Sequence, residues 1–315
     1  MNYRILSLLL LSIIIQSHCN AMENHTKTTN NQLSRVLFDE YHRPIPALLQ
    51  LLKETDIPHN GTLDSIFAAT QKHWLRPAGK ERWEIQNNFT PVSKNLPQLF
   101  KRLSLINKIK PSQKHYNYAL LLGDGDATTM RIRLASLIKI WNKGTRFDSI
   151  YIPTGTHQLD KRVAPLHTLL HSKVTAFPFK KNWQLHGNLP TTETEMIKLF
   201  FDQADLPAEW NNIPIVFVNT PMQSTVKGTL RRPTTLDTIN KWLTLHNPQP
   251  GSILAISIQP YVGYQDSVLR DILAPSFTIE TIGNTHALDQ LVPIILDSLA
   301  RWIYHEYRMH KAAKY

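Results

Sequence analysis

A short apolar run, Tyr118 to Leu122, stops abruptly at Gly123-Asp124-Gly125-Asp126, and apolar residues then return at a different spacing. Met130, Leu134, Leu137, Ile138 and Trp141 recur at i, i+4, i+7, i+8 and i+11, a single stripe of 3.6-residue period. Asp126 has the side chain of an N-cap, and Lys143-Gly144 forms a stop signal. The stretch therefore predicts strand, glycine-rich turn and helix, the opening unit of a doubly wound α/β sheet. In such sheets ligands sit at the carboxyl ends of the strands. A location for a site follows before any ligand does.

The same rhythm repeats downstream. Ser149–Pro153, Ile213–Val218, Ser252–Ile258 and Phe277–Ile282 have the length and composition of strands. Between and after them, Thr191–Gln203, Thr234–His246, Tyr264–Leu273 and Leu288–Tyr307 carry helical spacing. Short strands alternating with longer helices predict a mostly parallel five-stranded sheet covered on both faces. The sheet domain spans 116–307, with a tail at 308–315. Upstream, 35–115 is helical but interrupted by prolines, with helices expected at Ala47–Leu52, Thr62–Trp74 and Leu96–Ile109. This region is an N-terminal helical cap. One interval breaks the rhythm, a long insertion at 157–190 that carries five Lys or Arg residues and four His. Connections beyond about 12–15 residues are usually functional or disordered. Leaving a strand's carboxyl end, it is expected over the crevice. His167 and His171 share a helical spacing within it, but no acidic or cysteine partner accompanies them, so they are taken as surface histidines and no metal site is assigned.

Hydrophobic residues at 42% and charged residues at 19% exclude a disordered chain, and a net charge of +11 favours anionic partners. No dense Lys/Arg run is present, so nucleic acid is not an expected partner. Residues 1–21 have the form of a cleavable signal peptide: Arg4, an apolar core from Ile5 to Ile15, and small residues up to Ala21. That core is shorter than the ~20 residues a spanning helix needs, so no transmembrane segment is expected in the mature chain. Residues 22–34 are polar, a disordered leader. Cys19 is the single cysteine and falls in the signal segment, so cleavage leaves no thiol. A periplasmic or secreted protein, with possible envelope association, is the expectation.

The carboxyl ends of the predicted strands gather Gly123, Asp124, Gly125, Asp126, Thr154, Gly155, Thr156, Asn219, Ser257 and Gln259. The helices leaving them add Arg131, Arg133, Glu193, Thr234, Thr235 and Asp237. Helix N-termini favour anions through unpaired N–H groups and the macrodipole. Gly123 and Gly125 let a ligand approach the backbone, yet Gly-Asp-Gly-Asp is not GxGxxG and marks no dinucleotide site. Asp124 repels a bare phosphate; a divalent cation on Asp124 or Asp126 would reverse that. Arg133 is not needed in its helix's apolar stripe, so its side chain is expected free to reach across the strand ends. Glu195 can cap its own helix, which leaves Glu193 for the crevice. Pro233-Thr234-Thr235 opens a helix whose hydroxyls and N–H groups can hold an oxyanion.

Taken in order, residues of about 118–304 resemble the domain-of-unknown-function family that includes SanA, ElyC and YdcF. Gly123-Asp124-Gly125 falls on that family's glycine turn, Arg133 stands at its distance before Gly144, and Thr154-Gly155-Thr156 falls on its SGG element. Thr192-Glu193-Thr194 falls on SEA, and Pro233 to Thr238 takes the place of the N-T-x-E-N element. Ser257 matches the Thr of the last motif, but Tyr261 stands where the family has His, and Tyr264 where it has Arg. The resemblance implies a Rossmann-like fold and a role in the bacterial envelope, such as handling a cell-wall precursor or its lipid carrier. It does not carry a His-dependent proton transfer onto Tyr261, since a phenol of reference pKa near 10 is a poor base at neutral pH. The expected ligand is an anionic, phosphate-bearing small molecule, and no cofactor is assigned. Two alternatives stand beside this: a metal-assisted phosphohydrolase using Asp124 and Asp126, and a non-catalytic interaction protein with a vestigial crevice.

Overall fold

The computed structural model describes residues 33–85, 93–171, 176–226, 228–285 and 292–313. The signal segment 1–21, residues 22–32 of the polar leader, and the expected helix start at Leu288 lie outside the described residues. Leu33 is described and is 2% exposed in the core, so at least this end of the stretch expected to be a disordered leader is folded.

The central sheet contains β1 (His115–Leu121), β2 (Arg146–Gly155), β3 (Ile215–Thr220), β6 (Ser252–Ile258) and β7 (Thr278–Asn284). Their order is β3-β2-β1-β6-β7, and every pairing is parallel. This is the Rossmann-like α/β arrangement, with the order reversing between β1 and β6. β6 shows why the centre is stable: six of its seven residues are buried, as a strand covered on both faces requires. The minor strands β4 (Gln223–Ser224) and β5 (Leu230–Arg231) form a small antiparallel hairpin between β3 and the next helix. They are too short for alternation to announce them.

Helices cover both faces. α4 (Ala127–Asn142) and α6 (Glu193–Gln203) pack on one side through Met130, Leu134, Leu137, Met196 and Phe200. α7 (Thr235–His246), through Ile239 and Trp242, and α8 (Val262–Ile272), through Leu269 and its C-cap Leu273, close the other. The cap helices α1 (Pro46–Glu54), α2 (Leu63–His73) and α3 (Leu96–Arg102) join the first core, where Leu48, Leu51, Ile66 and Phe100 are buried with Leu299 and Trp302 of α9 (Val292–Ala312). The cap thus shares a core with the sheet.

Several boundaries differ from the sequence reading for physical reasons. α3 ends at Arg102, not Ile109, because Ser104 turns left-handed at φ 53° and Ile109 crosses to bond Gly283 on β7. α9 runs through residues 308–312, expected to be tail: Tyr307 stacks on Phe67 at 4.1 Å, and Lys311 pairs with Asp64 at 2.7 Å. The insertion 157–190 also behaves differently. Its stem at Thr156–Gln158 stays at the strand ends, while its body, with α5 (Leu166–Leu170), turns down against α4 and α6. Arg131 is the anchor. It donates to the carbonyls of Thr168 (2.8 Å) and Leu169 (2.7 Å), with its guanidinium 3.9 Å from the Phe200 ring. His167 and His171 are exposed. Among the described residues no helix is long and apolar enough to cross a membrane.

Candidate functional site

The carboxyl ends of β1, β2 and β6 open into a cavity of about 840 Å³. Nine of the residues singled out in the sequence line it: Gly123, Asp124, Arg133, Gly155, Thr156, Glu193, Thr234, Thr235 and Tyr261. Four others serve the frame beneath. Thr154 bonds Thr194 Oγ1 at 2.6 Å, and Ser257 bonds Gln265. Asp237 accepts from the Thr234 N–H at 2.7 Å and pairs with Arg231, so it completes the capping box of α7. Gly125 lies under the His157 ring, where a β-carbon would come 2.8 Å from Nε2.

Asp124 sits at the bottom of the cavity, 6% exposed, between two guanidinium groups. Arg82 grips both of its carboxylate oxygens, and Arg133 Nη2 approaches Oδ2 at 3.3 Å. Burial alone would raise its pKa; Arg82 and Arg133 override this and hold the carboxyl well below the usual carboxylate range. Asp126 caps α4 by accepting from the Thr129 N–H at 2.7 Å. Both carboxylates proposed as metal ligands are therefore engaged elsewhere, and among the described residues no three His, Cys, Asp or Glu cluster as a metal-ligand set.

Arg133 corrects one expectation. It faces the cavity, but it is 1% exposed and donates from Nη1 to the carbonyls of Leu122 (2.7 Å) and Gly123 (2.9 Å). Its first task is to close off the end of β1, whose carbonyls have run out of strand partners. Arg82 also lies over Tyr261 at 5.2 Å, and burial pushes the Tyr261 phenol up, further from any role as a base.

Glu193 is free of helix duty, as the spacing of Thr192 and Glu195 predicted. Glu195 accepts from the N–H groups of Thr191 (2.7 Å) and Thr192 (3.1 Å) and completes the capping box. Glu193 instead turns inward, onto Gly123, where a β-carbon would lie 2.2 Å from its Oε1. Its Oε2 is 3.2 Å from His157 Nδ1, within reach but not aligned as a hydrogen bond. Burial pushes the Glu193 carboxyl up to about 7; Arg232 opposes this and Asp124 adds to it. Burial, reinforced by Arg232, drops the His157 imidazole to about 4. Near neutral pH the imidazole is uncharged and the carboxyl is half protonated.

The outer wall comes from parts of the chain that the sequence reading left out. The loop before and within the 3-10 turn Arg82–Glu84 brings Arg76, Glu81 and Arg82 from the cap; α9 brings Asp297 and Arg301. Arg76 and Arg301 both pair with the buried Asp297, at 2.8 and 3.1 Å. Arg232, at the end of the hairpin, pairs with Glu81 at 2.9 Å and is more open than Arg76, Arg82 and Arg301, its side chain 33% exposed. No sequence signal singled these out. The i,i+4 pair Asp297–Arg301 has the look of an ordinary exposed helix pair. No protein-family model matches the chain, and no curated protein matches it.

Proposed function

We propose that this is an exported, envelope-associated protein whose crevice binds an anionic, phosphate-bearing small molecule. The observation carrying the reading is the concentration of guanidinium groups around one cavity: Arg76, Arg82, Arg133, Arg231, Arg232 and Arg301, against the carboxyls of Glu81, Asp124, Glu193 and Asp297. The carboxyl of Glu193 is partly neutral at pH 7, which leaves the wall more positive than the residue count. The planar fork of arginine matches phosphate oxygens two at a time. Helices α4, α6 and α7 also begin at this end of the sheet, and their dipoles favour an anion. The resemblance in motif order supports an envelope role, and the leader supports export.

Calorimetric titration of the purified protein with inorganic phosphate and pyrophosphate tests the binding. Arg232 is the arginine to remove, because it is exposed enough to exchange Glu81 for a ligand. Arg232→Ala should weaken binding by about 1.5–3 kcal/mol, the range for a charge-assisted hydrogen bond. Absence of binding, or equal affinity in the two proteins, refutes the reading. Export is tested separately by the N-terminal mass of protein from the native host, which should begin after Ala21.

A further inference from the structure

Anion binding leaves two buried titratable side chains without a use. Glu193 and His157 stand face to face at the cavity floor, with side chains 8% and 11% exposed and Oε2 3.2 Å from Nδ1. Each rests on a different glycine of one turn. A β-carbon at Gly123 would strike Glu193 Oε1, and one at Gly125 would strike His157 Nε2. Neither is required to cap a helix, since Thr192 and Glu195 cap α6. Nor does either take a guanidinium of its own: Asp124 takes Arg82 and Arg133, and Glu81 takes Arg232. The groups facing Glu193 are His157, the Gly155 backbone, Asp124, and the more distant charges of Arg232 and Arg133. Holding a carboxyl and an imidazole dry and out of ion pairs costs stability, and such groups concentrate where protons are moved.

We propose that Glu193, backed by His157, is the general acid for hydrolysis of a phosphomonoester bound in this crevice. The proposal rests on the anion-binding reading and adds a reaction to it. Phosphoryl transfer proceeds through a loose transition state in which the leaving oxygen carries much of the developing charge, so protonating it matters more than deprotonating the water. The oxygen of a water bonds to phosphorus as the ester P–O bond breaks. The leaving oxygen takes the proton of the Glu193 carboxyl and departs as an alcohol. The surplus proton of the water goes to solvent. The Glu193 carboxylate then recovers a proton from His157 Nδ1 as the ring takes one from solvent at Nε2, and exchange with solvent (a proton gained at Nδ1, one lost from Nε2) restores the Nδ1–H tautomer. The products are the alcohol and inorganic phosphate, and the pair returns to its starting state. Acid and imidazole lie side by side, so they serve one side of an in-line displacement. The water attacks from the side of the open mouth.

The test compares phenyl phosphate, whose leaving group needs a proton, with p-nitrophenyl phosphate, whose leaving group does not. Inorganic phosphate binding is measured in parallel. The native protein should cleave both. Glu193→Gln should lose about 10²–10⁴-fold on phenyl phosphate and less than about tenfold on p-nitrophenyl phosphate, the pattern of a lost general acid. His157→Ala should fall between, with a displaced pH profile. Phosphate binding without cleavage of either ester, or equal losses on both, overturns the acid and leaves the binding reading standing. No phosphate binding and no cleavage overturns both. If Glu193→Gln does not fold, the native protein decides alone: a steep fall in rate from p-nitrophenyl to phenyl phosphate overturns the proposal.

Discussion

Removing the charge of Glu193 should stabilise the protein above neutral pH, and the size and sign follow from its surroundings. An ordinary glutamate titrates at 4.5, and in the fold burial raises this one to about 7. Between those values the unfolded chain has released the proton while the folded chain still holds it. The folded state binds more protons in that window, so stability falls as pH rises through it, and the whole cost is present above pH 7. The gap corresponds to about 3 kcal/mol for a fully desolvated group. At 6% exposure Glu193 is close to that limit. Glutamine keeps the shape and does not ionise. The stability of Glu193→Gln relative to the native protein should therefore rise by up to about 3 kcal/mol between pH 4 and pH 8. His157 acts oppositely: its fall from 6.5 to about 4 makes stability rise with pH over that interval. Both proteins contain His157, so its contribution cancels in the difference. Denaturant unfolding followed by tryptophan fluorescence at several pH values measures this. A difference that is flat with pH, or that turns against the variant on the alkaline side, refutes the buried and uncompensated environment assigned to Glu193.

Two further substitutions probe the frame around the site. Arg133→Ala removes a donor from the Leu122 and Gly123 carbonyls and one of two guanidinium partners from Asp124, so denaturation should show a loss of about 3–5 kcal/mol; a loss well below about 1 kcal/mol would mean that the side chain is free for ligand after all. At Gly263 in α8 a β-carbon would lie 2.1 Å from the Trp302 ring, and Gly263→Ala should cost about 1–3 kcal/mol of overpacking, visible as a lower melting temperature. An unchanged melting temperature would show that α8 and α9 can separate without penalty.

Much of the architecture was readable because it is written in interactions of short range. The stripe Met130 to Trp141 needs only the helical period, and it is buried along α4. Asp126 bonds three residues ahead, Thr192 and Glu195 bond each other, and so do Thr234 and Asp237. Alternation of strands and helices is enough to imply a covered parallel sheet, and the crevice at its carboxyl ends follows from topology. Glu193 was legible too, because its neighbour Glu195 visibly could perform the capping.

The charges of the site were decided by tertiary contact. Arg82 reaches Asp124 across 42 positions of chain, Arg76 reaches Asp297 across 221, and Arg232 meets Glu81 across 151. No periodicity links such residues, because each lies in a separate element whose approach is set by the shared core of cap, sheet and α9. The same separation explains Arg133, which looked free by its position off the stripe and is bound by carbonyls at the end of the neighbouring strand. His157, 36 positions before Glu193, meets it only because the stem of the insertion turns back beneath the start of α6. Local sequence determined which backbone ends face the crevice. Long-range packing determined which of its charges are paired and which are left dry, since Coulomb and desolvation energies depend on distance and burial in space and not on separation along the chain.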